Sequence, residues 1–142
     1  MYREKLTFKN FNDEEITETL RFDLSELELL DLSKEDPTFS QAYMKTLLDN
    51  EDQYEMFRFI RKILALSYGK LSEDGNEFMK SPEIMDRFLH SAAYNALINN
   101  IVSSKDITLL KKMLIGIFPA QFTKSLVESE AAEEAGKVVP LA

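Results

Sequence analysis

The chain holds 142 residues with 17 basic and 25 acidic side chains, a net charge of −8, no cysteine, one histidine and four glycines. Without cysteine there is no disulfide scaffold, thiolate metal site, iron–sulfur cluster or cysteine nucleophile; one histidine leaves no multi-histidine metal site and makes a serine–histidine hydrolase hard to build. Four glycines leave no room for a phosphate-cradling loop, and the acidic balance has the wrong sign for gripping a phosphate backbone or an anionic membrane.

The length predicts one domain, residues 1–119, followed by a tail or linker over 120–142. Residues 1–60 carry 15 acidic and 7 basic side chains and so hold all of the net charge. That asymmetry reads as a solvated surface, or as an acidic face for a basic partner. The charged start, Met1-Tyr2-Arg3-Glu4-Lys5, is no signal peptide, and the run Met113 to Phe118 is far too short to span a bilayer. A soluble protein of a cytoplasm is expected.

Period-two alternation predicts two strands over 2–9 and 15–23, with Tyr2, Leu6 and Phe8 on one side of the first. Asn12-Asp13 is the expected turn, because both residues tolerate a left-handed backbone. Ser25-Glu26-Leu27-Glu28 has the form of a capping box opening a short helix, with Leu27, Leu30 and Leu32 along it. Asp36-Pro37 breaks that helix, and a second is expected over Thr38 to Leu48.

The most hydrophobic helix is predicted from Asp52 to Tyr68, with only Arg58, Arg61 and Lys62 as a polar arc, and Gly69 as its stop. Phe57, Ile60, Ile63 and Leu64 are its expected core residues. Residues 70–80 read as a turn anchored by Phe78. Ser81-Pro82-Glu83 starts a helix carrying Ile84, Met85, Phe88 and Leu89. His90-Ser91 marks a break, and Ser91 caps a helix lined by Tyr94, Leu97, Ile98 and Ile101. Ser103, Ser104 and Asp106 are read as caps of the last helix, along which Ile107, Leu110, Met113, Leu114 and Ile117 recur before Pro119. The fold class is thus α+β and mostly helical: an N-terminal β-hairpin on a bundle of about five or six helices, with a flexible C-terminal tail.

Candidate sites are few. His90 reads as a helix-end histidine rather than a base, since no catalytic constellation is identifiable around it. Ser72 to Glu77 lacks the ligand spacing of a calcium loop and reads as a tight turn. Glu14-Glu15 and Glu133-Glu134 have nothing to hold them as an acid/base dyad. Met79, Met85 and Met113 are read as core, with a secondary reading as interface residues. No catalytic, cofactor or metal residue is assigned.

The ordered phrases Leu6-Thr7-Phe8-Lys9-Asn10-Phe11, Arg21-Phe22-Asp23-Leu24-Ser25-Glu26-Leu27-Glu28-Leu29, Ser67-Tyr68-Gly69-Lys70-Leu71-Ser72-Glu73-Asp74-Gly75-Asn76-Glu77-Phe78-Met79-Lys80-Ser81, Phe88-Leu89-His90-Ser91-Ala92-Ala93-Tyr94 and Gly116-Ile117-Phe118-Pro119 cover roughly residues 2–119. Together they resemble the tail assembly chaperones of long-tailed, non-contractile (siphovirus-type) phages and prophages. The chain departs from that family in having Asn12-Asp13 where a hairpin glycine is usual, and in the basic pair Lys111-Lys112. The resemblance implies a non-enzymatic assembly factor of the host cytoplasm, absent from the mature virion. It implies binding to the tape measure protein, recruitment of tail tube subunits, self-association, and no nucleic acid or membrane partner. It also makes a longer, frameshifted form an expectation, with Gly136-Lys137 as the junction; the alternative for these residues is an ordinary frayed C-terminus. The alternatives are another phage tail or structural protein and a small acidic regulatory binding domain.

Overall fold

The structure is a computed structural model, and it describes residues 1–37, 39–49, 53–104, 107–120 and 123. Two strands, β1 (Tyr2–Lys9) and β2 (Glu15–Phe22), pair antiparallel with Tyr2 opposite Phe22 and Lys9 opposite Glu15. Tyr2, Leu6, Leu20 and Phe22 point from one face into the body, as the alternation requires. The turn runs from Asn10 to Asp13, whose amide donates to the Asn10 carbonyl at 3.1 Å. The Asn10 side-chain oxygen accepts from the amides of Asn12 and Glu14 at 2.9 and 3.0 Å. Of the expected pair only Asp13 is left-handed, at φ 61°. Aspartate there supplies the backbone freedom that glycine would give.

The helices are α1 (Glu26–Glu35), α2 (Gln41–Asp49), α3 (Gln53–Ser67), α4 (Pro82–Leu89), α5 (Ala92–Ser103) and α6 (Ile107–Ile117). The capping box forms as expected: Ser25 Oγ accepts from the Glu28 amide and Glu28 Oε1 accepts from the Ser25 amide, both at 3.2 Å. Ser81 and Ser91 cap α4 and α5, and Pro82 holds the first position of α4. α2 starts later than expected, with the Tyr43 amide donating to Ser40 Oγ at 3.1 Å. Ser103 and Ser104 finish α5 instead of opening α6: the Ser104 amide donates back to the Asn100 carbonyl. Asp106 lies outside the described residues, as do Glu133-Glu134 and Gly136-Lys137.

Other expectations need correction. Leu29 is the buried leucine of α1, while Leu27 and Leu30, which the sequence places along the helix, are 67% and 53% exposed. Ser25 caps the first turn of α1, and Leu29 is the leucine that faces the core. α3 ends at Ser67, because Tyr68 leaves the helix to form an antiparallel bridge with Phe22. Phe57 is half-buried, whereas Ile60, Ile63 and Leu64 are fully buried as expected. Residues 70–80 are more than a turn: β3 (Lys70–Leu71) pairs with β4 (Phe78–Met79), and Gly75 makes the tight corner at φ 78°. Met113 is core, at 1% exposure, while Met79 is exposed.

One hydrophobic core joins the hairpin to the helices, with Phe22, Ile63 and Leu64 at its centre. Aromatic rings run through it. Phe22 meets Tyr68 and Phe88 at 5.8 and 5.7 Å, Tyr68 stacks on Phe88 at 3.9 Å, and Phe88 meets Tyr94 edge-on at 5.2 Å. Each buried ring of this kind is worth roughly 1.5–3 kcal/mol of transfer free energy. Ser67, a buried polar residue, donates its hydroxyl to the Ile63 carbonyl at 2.6 Å.

Candidate functional site

α3 and α5 leave a groove of about 480 Å³ between them. Its residues follow from helical spacing. On α3, Tyr54, Phe57 and Arg61 lie three and four residues apart, and on α5, Tyr94, Ile98 and Val102 recur every four. Ile60 and Ile101, each 1% exposed, close the floor, and Tyr54 and Val102, 70% and 56% exposed, stand on the rim. Asn95 and Asn99, one turn apart on α5, add amides to the lining. Arg61 Nε donates to the Tyr94 hydroxyl at 3.4 Å, joining the two walls.

Among the described residues no carboxylate lines this groove, and none that lines it is a nucleophile next to a base. Its chemistry is that of binding: apolar surface with a few polar groups at the edge. Apolar side chains on the rim remove water from whatever lies between them, which is how a groove takes up the apolar face of a helix. Outside the groove, Leu27 and Leu30 on α1, Phe11 at the first hairpin turn and Met79 on β4 are further exposed apolar residues.

The remaining residues considered from sequence fall apart in space. His90 is the C-terminal cap of α4, with Nδ1 2.8 Å from the Asp86 carbonyl and its side chain exposed. Asp74 Oδ1 accepts from the Ser72 hydroxyl at 2.6 Å and from the Asn76 amide at 3.0 Å, and Ser72 Oγ accepts from the Glu77 amide. The Ser72 bond, then the Asn76 amide, hold the Asp74 carboxyl below the usual carboxylate range. That loop is a self-satisfied turn. Among the described residues no group of three histidine, aspartate or glutamate side chains is placed to hold a metal ion, and no helix is long and apolar enough to cross a membrane.

From the sequence, Tyr94 reads only as an apolar helix position and Arg61 only as part of a polar arc, and Asn95 and Asn99 carry no reading. Asn95, Asn99 and Asn100, on a helix otherwise apolar up to its final serine, are the available signal.

No curated protein and no solved structure matches the chain. A protein family described as phage tail assembly chaperone matches residues 1–140, the span that contains the hairpin, the described helices and the groove. The chain belongs to the phage tail assembly chaperone family.

Proposed function

We propose that the protein keeps the tape measure protein soluble in the host cytoplasm, helps tail tube subunits gather around it, and is left out of the finished virion. The observation that carries this reading is the open apolar groove between α3 and α5. A very long helix with exposed apolar stripes aggregates alone, and a groove that covers such a stripe prevents it. Modest affinity per copy suits a factor that has to leave when tube subunits arrive, and many copies along one filament supply avidity. Copies side by side are also compatible with the hairpin, since no further strand pairs with β1 among the described residues.

Co-expression tests the reading. The tape measure protein of the phage or prophage that carries this chain is expected in the soluble fraction when the chain is present and in the pellet when it is not. Val102→Asp, on an exposed rim position, is expected to return it to the pellet while leaving the chaperone's own helical circular dichroism unchanged. Recovery of the chain from purified virions, or a soluble tape measure without it, would overturn the proposal.

A further inference from the structure

We propose that the α3–α5 groove selects its occupant by charge: it takes an amphipathic helix whose apolar stripe is flanked by a carboxylate, and Arg61 is the residue that reads that carboxylate. This rests on the docking role proposed above and adds which helices qualify for it.

The first observation is a local reversal of charge. The chain has 25 acidic and 17 basic side chains, yet among the described residues the groove lining contains no acid, and Arg61 is the one charged residue there. Neighbouring cations are taken up within the chain: Arg58 by Glu55 at 3.3 Å and Lys62 by Asp36. Arg61 has no carboxylate partner among the described residues; its Nε rests on the Tyr94 hydroxyl, which holds the guanidinium at the wall of the groove. A planar guanidinium so held keeps further N–H donors in the fork geometry that matches a carboxylate.

The second observation is length. From Tyr94 to Val102 the α5 wall rises through eight residue steps, about 12 Å at 1.5 Å per residue. That is two turns, enough for three apolar anchors at i, i+3 or i+4, and i+7 of a docked helix. Asn95 and Asn99 then stand beside its polar flank. The exposed leucines of α1 in a second copy do not meet this requirement. Glu26 and Asp31 flank them, but Leu27 and Leu30 give only two anchors, and the i+7 position is the exposed Lys34 instead of a third apolar side chain. The occupant is therefore a partner helix, an acid-flanked apolar stripe of the long tail protein the chaperone holds.

Three synthetic helical peptides test this on the full chain. They share one leucine stripe and differ at a single flanking position: glutamate, glutamine or lysine. Fluorescence anisotropy is expected to rank glutamate first and lysine last, separated about fivefold at low salt. The gap is expected to close at about 1 M salt, where the screening length falls to about 3 Å. Arg61→Gln is expected to bring the three peptides to one affinity, and Arg61→Glu to invert the order; a residue that only shaped the groove would not invert it. Val102→Asp is expected to weaken all three alike. A preference that survives Arg61→Gln overturns the charge rule, while a loss of all three in Val102→Asp keeps the docking role. Binding of none of the peptides overturns the charge rule even if co-expression still rescues the tape measure protein. A gain in peptide binding on Leu30→Asp would show that α1 of another copy fills the groove, and would overturn the choice of occupant.

Discussion

Gly69 sits where a methyl group has no room. A Cβ there would lie 2.7 Å from the Phe78 ring and 2.8 Å from the Met79 carbonyl oxygen. The oxygen is backbone, so it yields only if the β3–β4 hairpin moves. Gly116 is the milder case: its Cβ would meet the Tyr2 ring at 2.9 Å, but alanine is the better helix former by about 1 kcal/mol and offsets part of the clash. Gly69→Ala is expected to lower stability by about 1–3 kcal/mol and Gly116→Ala by less, read from urea midpoints. Gly69 was legible as the end of a helix, but not for its true constraint. The close approach of Phe78 is tertiary, and no local pattern encodes it. Asp13 and the Ser25–Glu28 box were legible because their partners lie within four residues.

Among the elements, α1 shows how a short helix hides its phase. Leucines at 27, 29, 30 and 32 supply an apolar stripe on more than one side, so spacing alone does not decide which one turns inward. The decision comes from outside the helix, in part through Glu28, whose carboxylate pairs with Lys80 ahead of α4. Burial pushes the Glu28 carboxyl up, but the Lys80 hydrogen bond and the Ser25 amide outweigh it, leaving the group below the usual range. A folded value below the unfolded one means that the charged group adds stability above the unfolded value of about 4.3 and loses that contribution as pH falls through the folded value. Glu28→Gln is therefore expected to be less stable than the parent at neutral pH, by no more than about 1 kcal/mol because the pair is partly exposed. The gap is expected to close as pH drops below about 4.3, measured as urea midpoints of both proteins across pH 7 to 3.

At the scale of the molecule, the ring series Tyr2, Phe22, Tyr68, Phe88 and Tyr94 links the hairpin to the groove. Tyr94 both closes that series and carries Arg61. Phe22 has no exposed surface, so Phe22→Ala is expected to cost about 3–5 kcal/mol in thermal or urea unfolding. The architecture of hairpin plus helices was legible because periods of two and 3.6 change over at Ser25, and because serine caps mark the helix starts at Ser81 and Ser91. The groove was not. Tyr54 and Tyr94 are forty positions apart, and an amphipathic pattern shows that a helix is covered without showing by which neighbour.

Residues 22–24 gather bonds from four distant stretches. Phe22 bridges Tyr68, the Asp23 amide donates to the Ser67 carbonyl, Lys80 donates to the Asp23 carbonyl, and the Leu24 amide donates to the Ile117 carbonyl at 3.2 Å. The amino terminus of Met1 pairs with the Asp23 side chain at 3.3 Å. Loops of more than forty, fifty and ninety residues must therefore close on one tripeptide, each at an entropic cost that grows with the logarithm of its length. During synthesis the first hairpin is made early and seated late. Its inner face, Leu6, Leu20 and Phe22, stays incompletely covered until Tyr68 and Phe88, which pack on Phe22, and α5 and α6, which pack on β1, have been made, so the newborn chaperone passes through a sticky stage of its own before it can shield another protein.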